Sequence, residues 1–438
     1  MTQSPNLIVP DGPWTRFLDN SAAVMLGATI FFIPFPFLTS IKEALFYLPV
    51  TVATAFIATG RTTVHLQHRH LIFLYIFAAW AFLTAFFSLD PKSSLHDVFF
   101  HLIKYILYYF ALLIFFTSKA RLKNLAVIFF VSASLLSGGL LVYFYVLEQH
   151  PLIHRLGQSG LTEISTNLIA FVTTVAFVFG LHLLSFSKAS STKILLFMGL
   201  FILCVATAST QSRSAIISLM AGIGGYLFFR NKVATVLVLI LLIALTAAIT
   251  VVRVYEDSIR KNVRISLNLM TIDVTNDYPI TGVGFGTDIF GKRIDHTAYN
   301  LRLPAGFRLK QSILESHTKE PHGTFASIAV RTGWPGLVLF CLFIGSFFNG
   351  CIHLIRSSED VEIKAWAQCL VGAMVGMLVV GIFEQCLTPV TDMVFYTVVG
   401  MAGILLQLDS RPMDADVVTA NRNMRGVPAG SSGAEKQD

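Results

Sequence analysis

Glu315-Ser316-His317-Thr318-Lys319-Glu320-Pro321-His322 is a polar run, and at the next residue Gly323-Thr324-Phe325-Ala326-Ser327-Ile328-Ala329-Val330 opens an apolar one. The run closes residues 253–322, the one long polar interval in a chain that otherwise strings apolar segments together through short links. That interval holds ten of the 32 Lys and Arg residues, at 253, 260, 261, 264, 292, 293, 302, 308, 310 and 319. A loop of that size between hydrophobic segments is more often functional than a mere connection. It reads as a roof over a site at a membrane surface.

Composition points the same way. Of 438 residues, 54% are hydrophobic and 13% charged, with a mean hydropathy of +0.69. Soluble domains carry about 25% charged residues, so the chain reads as an all-α polytopic membrane protein. The net charge of +7 does not point to nucleic acid, because no polar domain interleaves basic and aromatic residues. It is read as topology signals plus an anionic ligand. The five cysteines (204, 341, 351, 369, 386) lie in apolar segments without metal-type spacing and read as small buried hydrophobes. Residues 1–20 carry Pro5, Pro10, Asp11, Pro13 and Asp19 and no basic leader, so the first span is expected to stay as an anchor.

Twelve apolar stretches approach the length needed to cross a core of about 30 Å at about 1.5 Å per residue. They lie near 21–39, 41–60, 70–89, 97–117, 122–147, 164–186, 193–210, 213–229, 233–252, 323–355, 363–386 and 388–407. This divides the chain into spans 1–9 (1–252), the large loop (253–322), spans 10–12 (323–407) and a tail (408–438). The tail is rich in Pro, Gly and Ser and is expected to be disordered. The tenth stretch is too long for one straight crossing and contains Gly333-Trp334-Pro335-Gly336, so it predicts a short helix from His322, a break, then the spanning helix. Short links carrying Arg61, Arg69, Lys119, Arg121, Lys123, Lys188, Lys193, Arg230, Lys232, Arg356 and Lys364 alternate with links far poorer in positive charge. The bias puts both termini in the cytoplasm and the large loop outside.

Few residues in these segments carry chemistry. Arg213, in Gln211-Ser212-Arg213-Ser214, stands where short links avoid positive charge. It either snorkels to headgroups or pairs with an anion, and a planar guanidinium suits phosphate. His322 follows Pro321 at the loop's end; an imidazole there is either structural or a base near neutral pH. Arg264 starts an amphipathic run in the loop. Asp277-Tyr278-Pro279-Ile280-Thr281-Gly282-Val283-Gly284-Phe285-Gly286 has the glycines of a phosphate loop but neither a preceding strand nor a following Lys-Ser/Thr. A tight turn is the better reading. Asn167 lies just inside the sixth span and Glu384 in the outer half of the eleventh, where it fits as the partner of an arginine. Arg331, nine residues past His322, falls on the opposite face of that helix and outside the site. No metal-binding motif or GxSxG occurs, and no cofactor is implied. Two or three arginines and a histidine at a membrane surface suit a hydroxyl attacking an electrophile whose leaving group is a diphosphate.

In this order the residues resemble the O-antigen ligase family: Ser212-Arg213 opening a span, Arg264 ahead of the 277–286 turn, a long loop, and His322 heading a helix that runs to Gly333-Trp334-Pro335-Gly336. Asn167 also fits the family's pattern. The family usually has Asn after the histidine, where this chain has Gly323, and many relatives carry an acidic residue where Arg331 stands. The resemblance implies a GT-C-like, metal-independent, inverting glycosyltransferase of the bacterial inner membrane. Its donor would be undecaprenyl-diphosphate-linked O-antigen and its acceptor a lipid A–core sugar hydroxyl in the periplasmic leaflet. It implies His322 as general base and Arg213 and Arg264 on the diphosphate, with Asn167, Gln211 and Glu384 in support. The nearest alternatives are an O-antigen polymerase, a protein-directed oligosaccharyltransferase and a lipid-linked sugar transporter. One large loop rather than two, the absence of an extra C-terminal domain, and candidates gathered at one face rather than mid-membrane weigh against them in turn.

Overall fold

A computed structural model describes residues 13–35, 38–60, 69–156, 166–241, 258–317, 321, 323–385 and 389–410. Every regular element among the described residues is helical. The apolar helices are α1 (Pro13–Phe32), α2 (Thr39–Ala58), α3 (Arg69–Ala85), α4 (Pro91–Phe115), α5 (Lys119–Leu147), α6 (Thr166–Phe186), α7 (Ser190–Ser209), α8 (Arg213–Leu227) and α9 (Lys232–Leu241). The large loop contributes α10 (Ser258–Asp277), α11 (Ile289–Arg293), α12 (His296–Arg302) and α13 (Gln311–His317). The chain then returns through α14 (Thr324–Ser357), α15 (Val361–Phe383) and α16 (Pro389–Asp409).

Eight described helices are long and apolar enough to cross a membrane, which makes the chain a polytopic α-helical membrane protein. The shorter apolar helices are α9, α8 and the 71–85 part of α3. The expected tail lies almost wholly outside the described residues. One expectation is corrected: Cys351 and Cys369 are buried, but Cys204 and Cys341 are exposed on the bundle surface. A bundle facing lipid is apolar outside as well as inside, so hydrophobicity does not tell the two environments apart. Lipid-facing surface also accounts for exposed Phe197 and Phe201.

Small residues set how closely the central helices approach. On α8, Ser218 and Gly222 meet Gly372 and Gly376 of α15, and the Ser218 hydroxyl donates to the Gly376 carbonyl at 2.8 Å. Thr174 of α6 joins the contact through a 3.0 Å hydroxyl pair with Ser218. Lipid gives helices no hydrophobic reason to associate, so backbone proximity and hydrogen bonds must hold them. Because 218 meets 376 while 222 meets 372, α8 and α15 run antiparallel, and the start of α8 lies at the same end as the close of α15.

The loop builds a core of its own. Leu267, Met270 and Val274 of α10 pack with Val283, Ile289, Phe290, Ile294, Tyr299 and Leu314, and with Val330 of α14. This confirms the amphipathic reading of the run around Arg264. The expected break in α14 is also present: Gly333 has φ 73° and ψ 177° within an otherwise helical stretch. The 277–286 turn fills that break. Backbone N–H groups of Val283 and Gly284 donate to the carbonyls of Val330 (2.8 Å) and Arg331 (3.2 Å), while Trp334 donates to Pro279 (2.9 Å). Trp80 of α3 donates its ring N–H to the Thr332 carbonyl at 2.9 Å. A broken helix inside a membrane protein leaves backbone groups that need partners, and the glycine turn supplies them. Gly282 and Gly284 take φ 65° and 121°, angles that glycine reaches without a Cβ clash. Further bonds hold the turn from below: Leu89 N–H and the Ser88 hydroxyl to the Val283 carbonyl, and Thr287 to the Asp97 carboxylate.

A side chain at Gly333 would run into the Ile280 carbonyl and would hold a positive-φ, extended backbone essentially reserved for glycine, which alone costs about 1–3 kcal/mol. Gly333→Ala should therefore lower the thermal unfolding temperature in detergent and open 258–317 to proteolysis before the rest of the chain. Unchanged melting and unchanged cleavage would show that the turn does not depend on this break.

Candidate functional site

Five chain segments meet at one end of the bundle: the starts of α6, α8 and α14, the close of α15, and the second turn of α10. Arg264 on α10 donates from a guanidinium nitrogen to Glu384 Oε1 at 2.8 Å. The Glu384 side chain is 10% exposed and that of Arg264 is 56% exposed, so one partner is fixed in protein and the other keeps an open flank. Glu384 follows α15 in extended backbone, and its carbonyl accepts the buried Thr324 hydroxyl at 3.2 Å. Its expected role as partner of an arginine thus has a specific partner. Asp277, at the far end of α10, is held below the usual carboxylate range by hydrogen bonds from the Tyr299 hydroxyl and Arg302. Those bonds fasten α10 to α12.

The helix expected to open at His322 begins two residues later, at Thr324, with Gly323 as its cap residue. His322 lies outside the described residues, but both chain neighbours, Pro321 and Gly323, are buried. Gly323 has φ 97°, and any side chain there would come within 2.9 Å of the Ile382 carbonyl. This gives a physical reason for glycine where the resembled family usually has asparagine. An apolar cleft lined by Phe171, Phe325, Met377, Leu378, Gly381 and Phe395 reaches up to Thr324.

Arg213 is half-buried and is the first helical residue of α8. The antiparallel register of α8 on α15 brings it level with Gly381, on the side of Glu384 and Gly323. It is preceded by Gln211, whose φ is 49° without being glycine; such residues store strain and mark sites where the chain is over-determined. The Gln211 amide donates to the Ile153 carbonyl at 2.7 Å, so this residue shapes the corner. Asn167 lies in the first turn of α6, and its side chain is outside the part the structure describes. The Thr166 hydroxyl accepts from Arg155 at 2.9 Å.

Arg331 belongs to a different polar group, in keeping with the helical-face argument. It is 5% exposed, Asp392 of α16 is 3% exposed, and the cations acting on Asp392 are Arg331 and Lys104. Lys104 also binds both carboxylate oxygens of Glu43 at 2.8 Å. Sequence reasoning passed over Glu43, Lys104 and Asp392, although an ionisable residue inside an apolar stretch is itself a signal. Among the described residues, no three His, Cys, Asp or Glu side chains gather as metal ligands would.

Geometry and composition define the class as a polytopic helical membrane protein with a polar site at one end. Residues 198–341, about a third of the chain, match the family model described as O-antigen ligase. The matched segment includes Arg213, Arg264 and His322 and stops short of Asn167 and Glu384. Comparison with curated proteins finds no match.

The unequal burial of the Arg264–Glu384 pair generates a test. Arg264→Ala takes a cation from a buried carboxylate, whereas Glu384→Ala leaves an arginine that already faces water. The arginine variant should therefore lose more stability, by about 1–3 kcal/mol, and the double variant should recover part of that loss in a double-mutant cycle. Equal and additive losses in unfolding experiments would show that the pair is not coupled.

Proposed function

We propose that the protein is an O-antigen ligase that moves a glycan from undecaprenyl diphosphate to a sugar hydroxyl of lipid A–core. The observation carrying this reading is the gathering of Arg213's helix start, the Arg264–Glu384 pair and the residue next to His322 at one end of the bundle, with Arg213, Arg264 and His322 inside the family-matched segment. In this reading the membrane is the bacterial inner membrane, both termini are cytoplasmic and the large loop is periplasmic. The twelve apolar stretches cross a GT-C-like bundle. The orientation rests on the Lys/Arg bias of the short links.

The chemistry follows from the side chains. An imidazole nitrogen of His322 takes the proton of the acceptor hydroxyl as its oxygen attacks the anomeric carbon of the donor glycan. The bond from that carbon to the diphosphate oxygen breaks, and its electron pair leaves with undecaprenyl diphosphate. Attack opposite the leaving group inverts the anomeric configuration. Arg213 and Arg264 stabilise the charge growing on the diphosphate, where fixed donors act most strongly because they need no reorganisation. Arg264 suits this role because Glu384 orients it while its outer flank stays open. Asn167 and Gln211 support the corner from which Arg213 emerges.

The test is transfer by the purified protein given undecaprenyl-diphosphate-linked glycan and lipid A–core, with EDTA present. Glycan should appear on lipid A–core with the wild type. His322→Ala should lower the rate by about 10²–10⁴-fold, and Arg213→Ala should also lose activity. Elongated lipid-linked glycan beside untouched lipid A–core would instead mean a polymerase. Wild-type turnover by His322→Ala would remove the base from this account.

A further inference from the structure

Arg155 stands in the short link between α5 and α6 and ties together the two corners from which Asn167 and Arg213 emerge. Its Nε donates to the Thr210 carbonyl at 2.7 Å, and a terminal nitrogen donates to the Thr166 hydroxyl at 2.9 Å. The same link makes two further bonds, to the residues on either side of Thr210. Leu156 N–H donates to the Ser209 carbonyl at 2.9 Å, and the Gln211 amide reaches the Ile153 carbonyl. Residues 209, 210 and 211 are thus each gripped, immediately before Ser212 and Arg213.

The grip is anchored. Leu156 is 1% exposed in a small core with Leu136, Leu140, Phe144, Ile169 and Ala206. The Tyr145 hydroxyl bonds the His154 carbonyl at 2.9 Å. A cation also suits the place electrostatically, because Thr210 is the cap residue of α7 and carbonyl oxygens at a helix C-terminus attract positive charge. The planar fork of Arg can hold the carbonyl and the hydroxyl at once, which a lysine ammonium cannot match in fixed geometry. The left-handed backbone of Gln211 is what turns the chain from α7 into α8, and that conformation persists only where its surroundings enforce it.

We infer that Arg155 is a positioning residue that sets the aim of Arg213 by clamping residues 209–211 to the start of α6. This rests on the proposed role of Arg213 at the donor diphosphate. Arg155 acts on Arg213 through the corner.

The test is transfer kinetics with donor and acceptor varied separately, for wild type, Arg155→Ala, Arg155→Lys, Arg213→Ala and the Arg155→Ala/Arg213→Ala double variant. Arg155→Ala should lower kcat/KM for the donor about tenfold while leaving the acceptor KM in place. Arg155→Lys should restore little. On the Arg213→Ala background the same substitution should cost nothing further, because the residue it aims is gone. Thr166→Val, which removes one bond of the clamp, gives a milder loss of the same kind and serves if Arg155→Ala does not fold. Equal losses on both backgrounds, a shifted acceptor KM, or lowered melting temperature with unchanged kinetics would overturn the inference. Wild-type activity of Arg213→Ala would instead defeat the proposed function, a result distinct from these.

Discussion

A helix broken at Gly333 leaves its backbone groups short of partners, and the turn at 279–286 exists to supply them. Three backbone hydrogen bonds join that turn to residues 330–334, while Trp80 and Ser88 bond to the Thr332 and Val283 carbonyls. The break frees 324–332 from the line of the spanning helix, so that its start can lie against the close of α15. Everything proposed about the site depends on this. On the loop side of the break, Gly323 approaches Ile382 and the Thr324 hydroxyl reaches the carbonyl of Glu384. The glycines that resemble a phosphate loop in sequence therefore serve the fold, and in the proposed function phosphate binding falls to the arginines.

Among the described residues, two groups of charge stand apart from each other. Arg264 and Glu384 form one at the loop end, with the arginine open on one side. Arg331, Asp392, Lys104 and Glu43 form the other, within apolar helices from both halves of the chain. An ion pair half in water contributes little stability, which leaves its cation available to a ligand. Arg331 and Asp392 are buried, where a charge depends on its partners. The basic residue at 331, where many members of the resembled family are acidic, is thus answered by a buried acid on α16.

Much of this was legible in the sequence for identifiable reasons. Hydropathy and helix breakers follow from backbone satisfaction in lipid, so the helical class, the break at Gly333-Trp334-Pro335-Gly336 and the amphipathic α10 could be read directly. Glu384 could be read as an arginine's partner because an acid near a membrane surface needs one. Which arginine it was could not, since 264 and 384 are far apart in the chain and only the docking of the loop brings them together. Arg155 was missed for a related reason: its partners are a carbonyl and a hydroxyl, and neither leaves a mark in composition or spacing. Lipid-facing Cys204 and Cys341 misled because hydrophobicity marks both the inside and the outside of such a bundle.

The central claim is that Arg213, Arg264 and His322 surround one diphosphate at the loop end of the bundle. The most direct measurement is an experimental structure of the protein with undecaprenyl diphosphate bound. The account predicts the diphosphate within hydrogen-bond reach of both guanidinium groups, the first isoprene units running toward the cleft below Thr324, and the His322 imidazole facing the open side. A diphosphate bound at the opposite end, near Arg230 and Tyr226, or held at the loop end by neither arginine, would contradict it.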